Sequence, residues 1–294
     1  MEAYLGVARA NFLLLPVTLV TVGAAAAAYD GVFDSIATIA ALLALVALHA
    51  AVNAFNEYSD FRRGIDFDTQ RTPFSGGSGT LPGGAPARIA LGVGIGGTVF
   101  GAIIGACFLL SVGPQLLPIF ALGALCVLGY SDFLARIYLG EIFAGLGLGT
   151  LAVLGAALVQ GGGLGSAAIA ASIPPFFMTF NLLLLNEFPD EEADRKGGRR
   201  NLVLLLGRRV AARVYVVAGW MVPVALIGGV LAGALPPLGL IAILPSLALA
   251  SPARWALTAP EQPVPVSALG ANVAWNLATN SVLALVLALA VTNL

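Results

Sequence analysis

Nine long apolar runs, separated by short polar or Pro/Gly-rich breaks, constrain this chain more than any other feature of it. They lie roughly over 12–28, 36–57, 89–110, 115–130, 139–159, 166–188, 210–231, 238–250 and 266–291. A helix of about 20 apolar residues crosses a hydrocarbon core. The expected fold is therefore all-α, a polytopic membrane protein with nine transmembrane helices in one bundle and a single domain over residues 1–294. The eighth run is the shortest, held between Pro236-Pro237 and Ser251-Pro252. Composition points the same way, since 59% of the residues are hydrophobic and only 10% are charged, far from the balance of a soluble domain. The opening MEAYLGVARANFLLL has no cationic stretch ahead of its apolar run, so the first helix is expected to be retained and not cleaved as a signal.

Charge is sorted along this map. Arg9 precedes the first run; Arg62, Arg63, Arg71 and Arg88 fall between the second and third, and Arg136 between the fourth and fifth. Arg195, Lys196, Arg199, Arg200, Arg208, Arg209 and Arg213 fall between the sixth and seventh, and Arg254 between the eighth and ninth. The alternate connections hold no Lys or Arg, so all fourteen basic residues occupy one side. By the positive-inside rule that side is cytoplasmic. The expected location is a cell membrane, with the N-terminus in the cytoplasm and the C-terminus, Leu294, on the opposite side. Cys107 and Cys126 both fall in apolar runs and read as small packing residues. One His and two Cys make a poor zinc site.

Two runs end in polar clusters of one pattern. HAAVNAFNEYSDFRRGIDFD closes the second, and 130 positions later NEFPDEEADRKGGRRN closes the sixth. Asn56 and Asp60 repeat as Asn186 and Asp190, with four runs per interval, which suggests two four-helix pseudo-repeats. His49, Asn53, Asn56 and Asp60 fall at intervals of four, three and four, on one helix face. Thr179, Asn186, Asp190 and Asp194 make a similar line, although Pro189 is expected to interrupt the helix beyond Asn186. The plain reading is two helices fraying into water; against it, polar and ionisable rows inside membrane helices are functional by default. Both clusters open on the expected cytoplasmic face, under a cap of loops.

Asn and Asp oxygens without His or Cys suit a hard cation such as Mg2+, which shares its coordination readily with phosphate. Arg62, Arg63, Arg71, Arg195, Lys196 and Arg199 stand beside the carboxylates and can contact phosphate oxygens, although topology alone also places basic residues there. A cation or phosphate-metabolite transporter is the competing class. Transporter sites sit near the midplane between broken helices, whereas these clusters sit at helix ends.

NEYSDFRRGID and NEFPDEEADRKGGRRNLVLLLG resemble the two aspartate-rich motifs of the UbiA superfamily of intramembrane prenyltransferases, especially its 1,4-dihydroxy-2-naphthoate (menaquinone-pathway) branch. ARANFLLLP is similar to the family's opening Arg-Pro stretch, with Ala10 in place of Pro, and YSDFLARIYLGEIFAGLGLG resembles its Tyr-containing cap loop. The resemblance implies Mg2+-dependent transfer of a polyprenyl group from a polyprenyl diphosphate to a small aromatic quinone precursor within the bilayer. It implies Asn56, Asp60, Asp66, Asn186, Asp190 and Asp194 as metal ligands, with Asn56, Asp60, Asn186, Asp190 and Asp194 also catalytic. It further implies Lys196, Arg199 and Arg136 near the diphosphate, and Tyr130 and Arg9 nearer the acceptor; Arg63 and Asn53, beside the first motif, are expected to be substrate-binding as well. Gly64 stands where one branch has a second Asp, so Asp66, or else Asp68, would complete the first motif. Glu57 replaces the usual Asp after Asn56, Glu187 follows Asn186 where the naphthoate branch often has Asn, and the loop RTPFSGGSGTLPGG departs from that branch. A glycerol phosphate lipid or a haem or chlorophyll precursor is the alternative acceptor.

Three features fall outside the motifs. Ser75 to Gly79 could wrap a phosphate with backbone amides, or serve as a lid or linker. Asn272, Asn276 and Asn280, four apart on the last helix, could face a chamber or hydrogen-bond between helices. His49 is expected to be a packed, hydrogen-bonded residue. No nucleic-acid site is expected; oligomeric state is open.

Overall fold

The computed structural model describes residues 1–69 and 71–291; Leu294, which carries the expectation for the C-terminal side, lies outside the described residues. Among the described residues every regular element is helical. A short helix, Glu2–Val7, and a single 3-10 turn, Ala10–Phe12, lead into α1 (Leu14–Tyr29). Then come α2 (Ser35–Arg63), α3 (Arg88–Val112), α4 (Leu117–Leu128), α5 (Gly140–Leu158), α6 (Ser166–Gly197), α7 (Arg208–Leu231), α8 (Pro237–Thr258) and α9 (Val266–Val291). All but α4 are long and apolar enough to cross a membrane, α1 being counted with its leading turn; α4 with its own leading turn, Pro114–Leu128, is a shorter apolar helix. The chain is a multi-pass membrane protein.

At the end of the molecule poor in basic residues, polar side chains cap the helices. Asp34 accepts from the amides of Ile36 at 2.8 Å and Ala37 at 3.0 Å to start α2, and Asp30 reaches the amides of Ala167 and Ala168, both at 3.4 Å, at the start of α6. These contacts answer the free N–H groups that every helix start exposes. At the other end Gly64 and Gly198, at φ of 79° and 76°, close α2 and α6 in the left-handed conformation, which a side chain would disfavour.

Because lipid offers no hydrophobic drive between helices, close fit of small residues does that work. A Cβ on Gly97 of α3 would lie 2.5 Å from the Ala47 carbonyl of α2, and one on Gly149 of α5 would lie 2.7 Å from the Pro175 carbonyl of α6. The central core is drawn from α1, α5, α6, α7 and α9, through Leu19, Val153, Met178, Leu226 and Trp275. A second core near the Arg-rich end joins Phe188, Tyr215, Trp255 and Leu269.

Two expectations are corrected, and of the two uses left open for the Asn residues of α9 the structure shows hydrogen bonding between helices. α6 runs on through Pro174, Pro175 and Pro189 to Gly197, so Asp190 and Asp194 are helical. Proline removes one amide and crowds the previous turn, but here Phe188 is buried against Trp255 with ring centroids 5.0 Å apart, and Arg208 donates to its carbonyl at 3.0 Å. That packing holds the helix together locally. α8 opens as 3-10 helix over Pro237–Leu249 and continues as α-helix over Ala250–Thr258. Pro252 falls in the first turn of that α-helical part, where its missing amide breaks no bond, and Arg254 is therefore helical. Asn272, Asn276 and Asn280 do not reach a chamber. Asn272 donates to the Asn181 carbonyl at 3.1 Å and accepts from the Tyr215 hydroxyl at 2.9 Å, and Asn280 donates to Asn276 at 2.9 Å.

Candidate functional site

The ends of α2 and α6 meet at the Arg-rich end of the bundle. Gly64 turns the chain sharply out of α2 into a short helix, Ile65–Asp68, which lies against α6 so closely that a Cβ on Gly197 would sit 2.0 Å from Ile65. Arg199, just past α6, crosses to α2. Its Nη2 donates to both Asp60 oxygens, at 2.7 and 2.5 Å, its Nε to one of them at 3.1 Å, and Asp194 stands 3.7 Å away. Burial works against the charge on Arg199, yet Asp60 and Asp194 hold it protonated well above the usual arginine range. Asp194 also accepts from Asn201 at 2.9 Å, and Asn201 in turn caps the helix Leu202–Leu206 through the Leu204 amide.

The loop between α2 and α3 folds over this junction. Thr69 donates to Asp190 through its hydroxyl, and the Gly76 amide donates to the other Asp190 oxygen at 3.1 Å. Glu57, wholly buried, accepts from the Ser78 amide at 2.8 Å, the Ser78 hydroxyl at 2.7 Å and Arg9 Nε at 2.7 Å. The glycine-rich loop therefore covers the junction and directs the Gly76 and Ser78 amides at carboxylates. At Gly77, φ is 71° and a Cβ would come within 2.6 Å of Asp66 Oδ1, so only glycine lets the loop lie this low.

Asp66 is buried beneath that loop with Oδ2 lacking a partner. Burial first, then the neighbouring charges of Asp60 and Glu57, push its carboxyl up to about 7. Asp68 points outward to Lys196, 3.0 Å away, and both are half or more exposed. Between the two aspartates, Asp66 is the one that joins the cluster. Asn56 Nδ2 and Asn186 Oδ1, one from each motif, are buried and without partners. Among the described residues no three His, Cys, Asp or Glu side chains converge closely enough to hold an ion; Arg199 occupies Asp60, and Thr69 and Gly76 occupy Asp190. The donor set itself, carboxylate and amide oxygens with open atoms on Asp66 and Asn186, fits a hard cation.

Below the clusters opens a chamber of about 580 Å³. Arg9, Asn53, Asn56, Tyr130 and Asn186 make its polar mouth, while Ala41, Leu109, Phe120 and Val159 mark its far, apolar end. From Asn56 to Ala41 the α2 axis rises about 22 Å, so the chamber runs most of the depth of a bilayer core. Tyr130 lines the mouth, and burial raises the pKa of its hydroxyl, keeping it protonated. Asn53 donates to the Ala8 carbonyl at 2.9 Å, tying α2 to the N-terminal helix. On the outer wall α4 buries only Cys126.

Not every predicted residue comes to the junction. Arg63 turns aside to Asp132 at 2.8 Å and to Ser59 at 3.2 Å. Arg136 donates to the Gly198 carbonyl at 3.3 Å and so clamps the turn after α6. Lys196 lies at the rim. Three buried carboxylates have no role assigned from sequence, where Glu57 and Glu187 stand only as departures from the motifs: Glu57, Glu141 and Glu187, the last two of which face each other beside Tyr130. Glu141 also accepts from the Leu202 amide at 2.6 Å. The available signal was a glutamate at two motif positions inside apolar helices, where a charge needs a reason.

Comparison with known proteins follows the same lines. Residues 14–276 match the UbiA prenyltransferase family. The 1,4-dihydroxy-2-naphthoate octaprenyltransferase of Bacillus subtilis (strain 168) is 28% identical over 189 residues, which is 62% of this chain and 58% of that protein. The match thus spans little over half the length of that relative. A UbiA homologue from Archaeoglobus fulgidus bound to DMAPP and Mg2+ superposes with a TM-score of 0.65 at 16% identity, covering 96% of this chain and 99% of the other. The apo structure of a UbiA homologue from Aeropyrum pernix K1 gives 0.70 at 17% identity, over 92% and 96%. At these identities the structures speak for the fold.

Proposed function

The chain belongs to the UbiA prenyltransferase family, and from that premise we propose that it transfers a polyprenyl group from a polyprenyl diphosphate to a hydroxylated aromatic acceptor inside the membrane. The observation that carries this reading is geometric. Two Asn/Asp motifs from α2 and α6 open together onto the polar mouth of one deep, otherwise apolar chamber. A diphosphate headgroup matches the mouth and an isoprenoid tail matches the chamber. The paired motifs sit at the Arg-rich end, so by the positive-inside rule the site and the N-terminus face the cytoplasm.

Asp60, Asp66, Asp190 and Asp194, with Asn56 and Asn186, would hold Mg2+, which neutralises diphosphate charge when bound. For Asp60 and Asp190 to take part, Asp60 releases Arg199, and Asp190 releases Thr69 and Gly76. Arg199 is then free, within the same pocket, to contact a phosphate oxygen. Departure of diphosphate leaves positive charge on the allylic carbon, and the apolar chamber keeps water from that carbon. Arg9 and Asn53 orient the acceptor ring near it, so proximity supplies much of the acceleration. A naphthoate-type acceptor is favoured by the relationship to the Bacillus subtilis enzyme.

The test is incubation of the purified protein with radiolabelled geranylgeranyl diphosphate, Mg2+ and a panel including 1,4-dihydroxy-2-naphthoate. A prenylated product lost on EDTA addition is expected. Absence of any product, together with cation flux in liposomes, overturns the reading in favour of transport.

A further inference from the structure

His49 was expected to be a satisfied packing residue, and it is not. It lies two turns deeper than Asn56 on the same face of α2 and lines the chamber. It is 6% exposed, and its Nδ1 has no hydrogen-bond partner. A buried polar atom without a partner is left with an unrepaid desolvation cost. Such groups persist where a ligand or water completes them.

Among the parts of the proposed reaction, the ligand that can complete His49 follows by elimination. Seven residues of α2 separate it from Asn56, about 10 Å along the axis, so a diphosphate held at the motifs does not reach it. An isoprenoid tail carries no hydrogen-bonding group. Of the parts of the proposed reaction, only the aromatic acceptor brings hydroxyl groups into the chamber below the motifs. A neutral imidazole can donate from one nitrogen and accept at the other, matching a hydroxyl that does both. One turn above His49, Asn53 has its amide nitrogen committed to Ala8, which leaves its oxygen as a second acceptor. Phe12 and Phe74 line the same chamber and offer ring faces to a flat molecule.

We propose that His49 is a specificity-determining residue that binds a ring hydroxyl of the aromatic acceptor, so that the acceptor lies along α2 between His49 and the motifs. This rests on the prenyltransferase reading, so the experiment reports on the two separately. Mg2+-dependent binding of radiolabelled geranylgeranyl diphosphate is measured first, in wild type, His49→Leu and His49→Gln. Equal donor binding in all three is expected, because the donor does not touch His49. Steady-state kinetics then compare 1,4-dihydroxy-2-naphthoate with 1-hydroxy-2-naphthoate, which lacks one hydroxyl. For wild type the loss of that hydroxyl should raise the acceptor KM about tenfold or more. In His49→Leu the two acceptors should have the same raised KM, and His49→Gln, which can still hydrogen-bond, should recover part of the difference. A His49→Leu protein that still discriminates between the acceptors as wild type does overturns the proposal. If that variant does not fold, His49→Ala, which cannot hydrogen-bond, with unchanged discrimination and unchanged KM overturns it equally. Donor binding by wild type with no prenylated aromatic product also overturns it while leaving the donor reading intact; absence of donor binding overturns both.

Discussion

The two motif clusters share a sequence pattern but are built differently. The second is carried on one continuous helix, α6, and its carboxylates are committed to protein partners: Asp190 to Thr69 and Gly76, Asp194 to Asn201 and Arg199. The first is broken by the left-handed turn at Gly64, so that Asp60 lies in the last turn of α2 while Asp66 sits on a separate short helix with an open oxygen. The second cluster thus shares one helical backbone. The first has a member with an open oxygen on a separate helix, and the two are joined through Arg199. A repeated pattern does not make two equal halves when one half is cut by glycine.

The sharpest break of this pairing is removal of one anchor from either half. Asp60→Ala or Asp190→Ala should each lower prenyl transfer by about 1,000-fold, the scale of lost electrostatic stabilisation, with detergent-solubilised protein remaining monodisperse. Near-normal turnover in either variant would sink the paired-site reading. Next comes the link itself. Arg199→Met leaves Asp60 and Asp194 buried without their cation, and loss of one partner of such a pair costs about 3–5 kcal/mol. Thermal unfolding of the metal-free protein should show a clear drop, larger than for Arg63→Met, whose partner Asp132 is mostly exposed.

The open member, Asp66, is tested by pH. With its carboxyl near 7, Asp66 must shed a proton to bind a cation. Apparent Mg2+ affinity should therefore fall towards about tenfold per unit as pH drops below 7 and level off above it. Asp66→Asn should flatten the profile, and an unchanged profile would exclude Asp66 from the site. The metal-free stability runs oppositely. The folded state keeps a proton the unfolded chain has lost between about pH 4 and 7, so Asp66 favours folding less as pH rises through that window. The smallest effect is expected at the rim: Lys196→Ala breaks an exposed pair with Asp68 and should cost no more than about 1 kcal/mol of stability.

Much of this was legible in the sequence. Apolar runs gave the membrane helices, because a helix in lipid must be apolar for a fixed length whatever its neighbours are. Charge sorting put both motifs at one end, and the residues Asn56, Asp60, Asn186, Asp190 and Asp194 do meet there. The path of α6 through Pro189 was hidden, because the cost of a proline is decided by the packing of Phe188 and not by the proline itself. So were the roles of Glu57, which ties Arg9 to the loop, and of Asn272, which joins helices far apart in sequence.

Length and polarity of each segment report the solvent it meets, and these the amino-acid sequence determined by itself: an all-helical membrane bundle, a basic end, and two acidic motifs within reach of one another. Which partner each buried polar group finds was decided only by the tertiary structure. A hydrogen bond or ion pair depends on ångström distances between segments, which periodicity does not encode. Arg199 on Asp60, the Gly76 amide on Asp190 and the unpartnered ring of His49 in the chamber are all decisions of that kind.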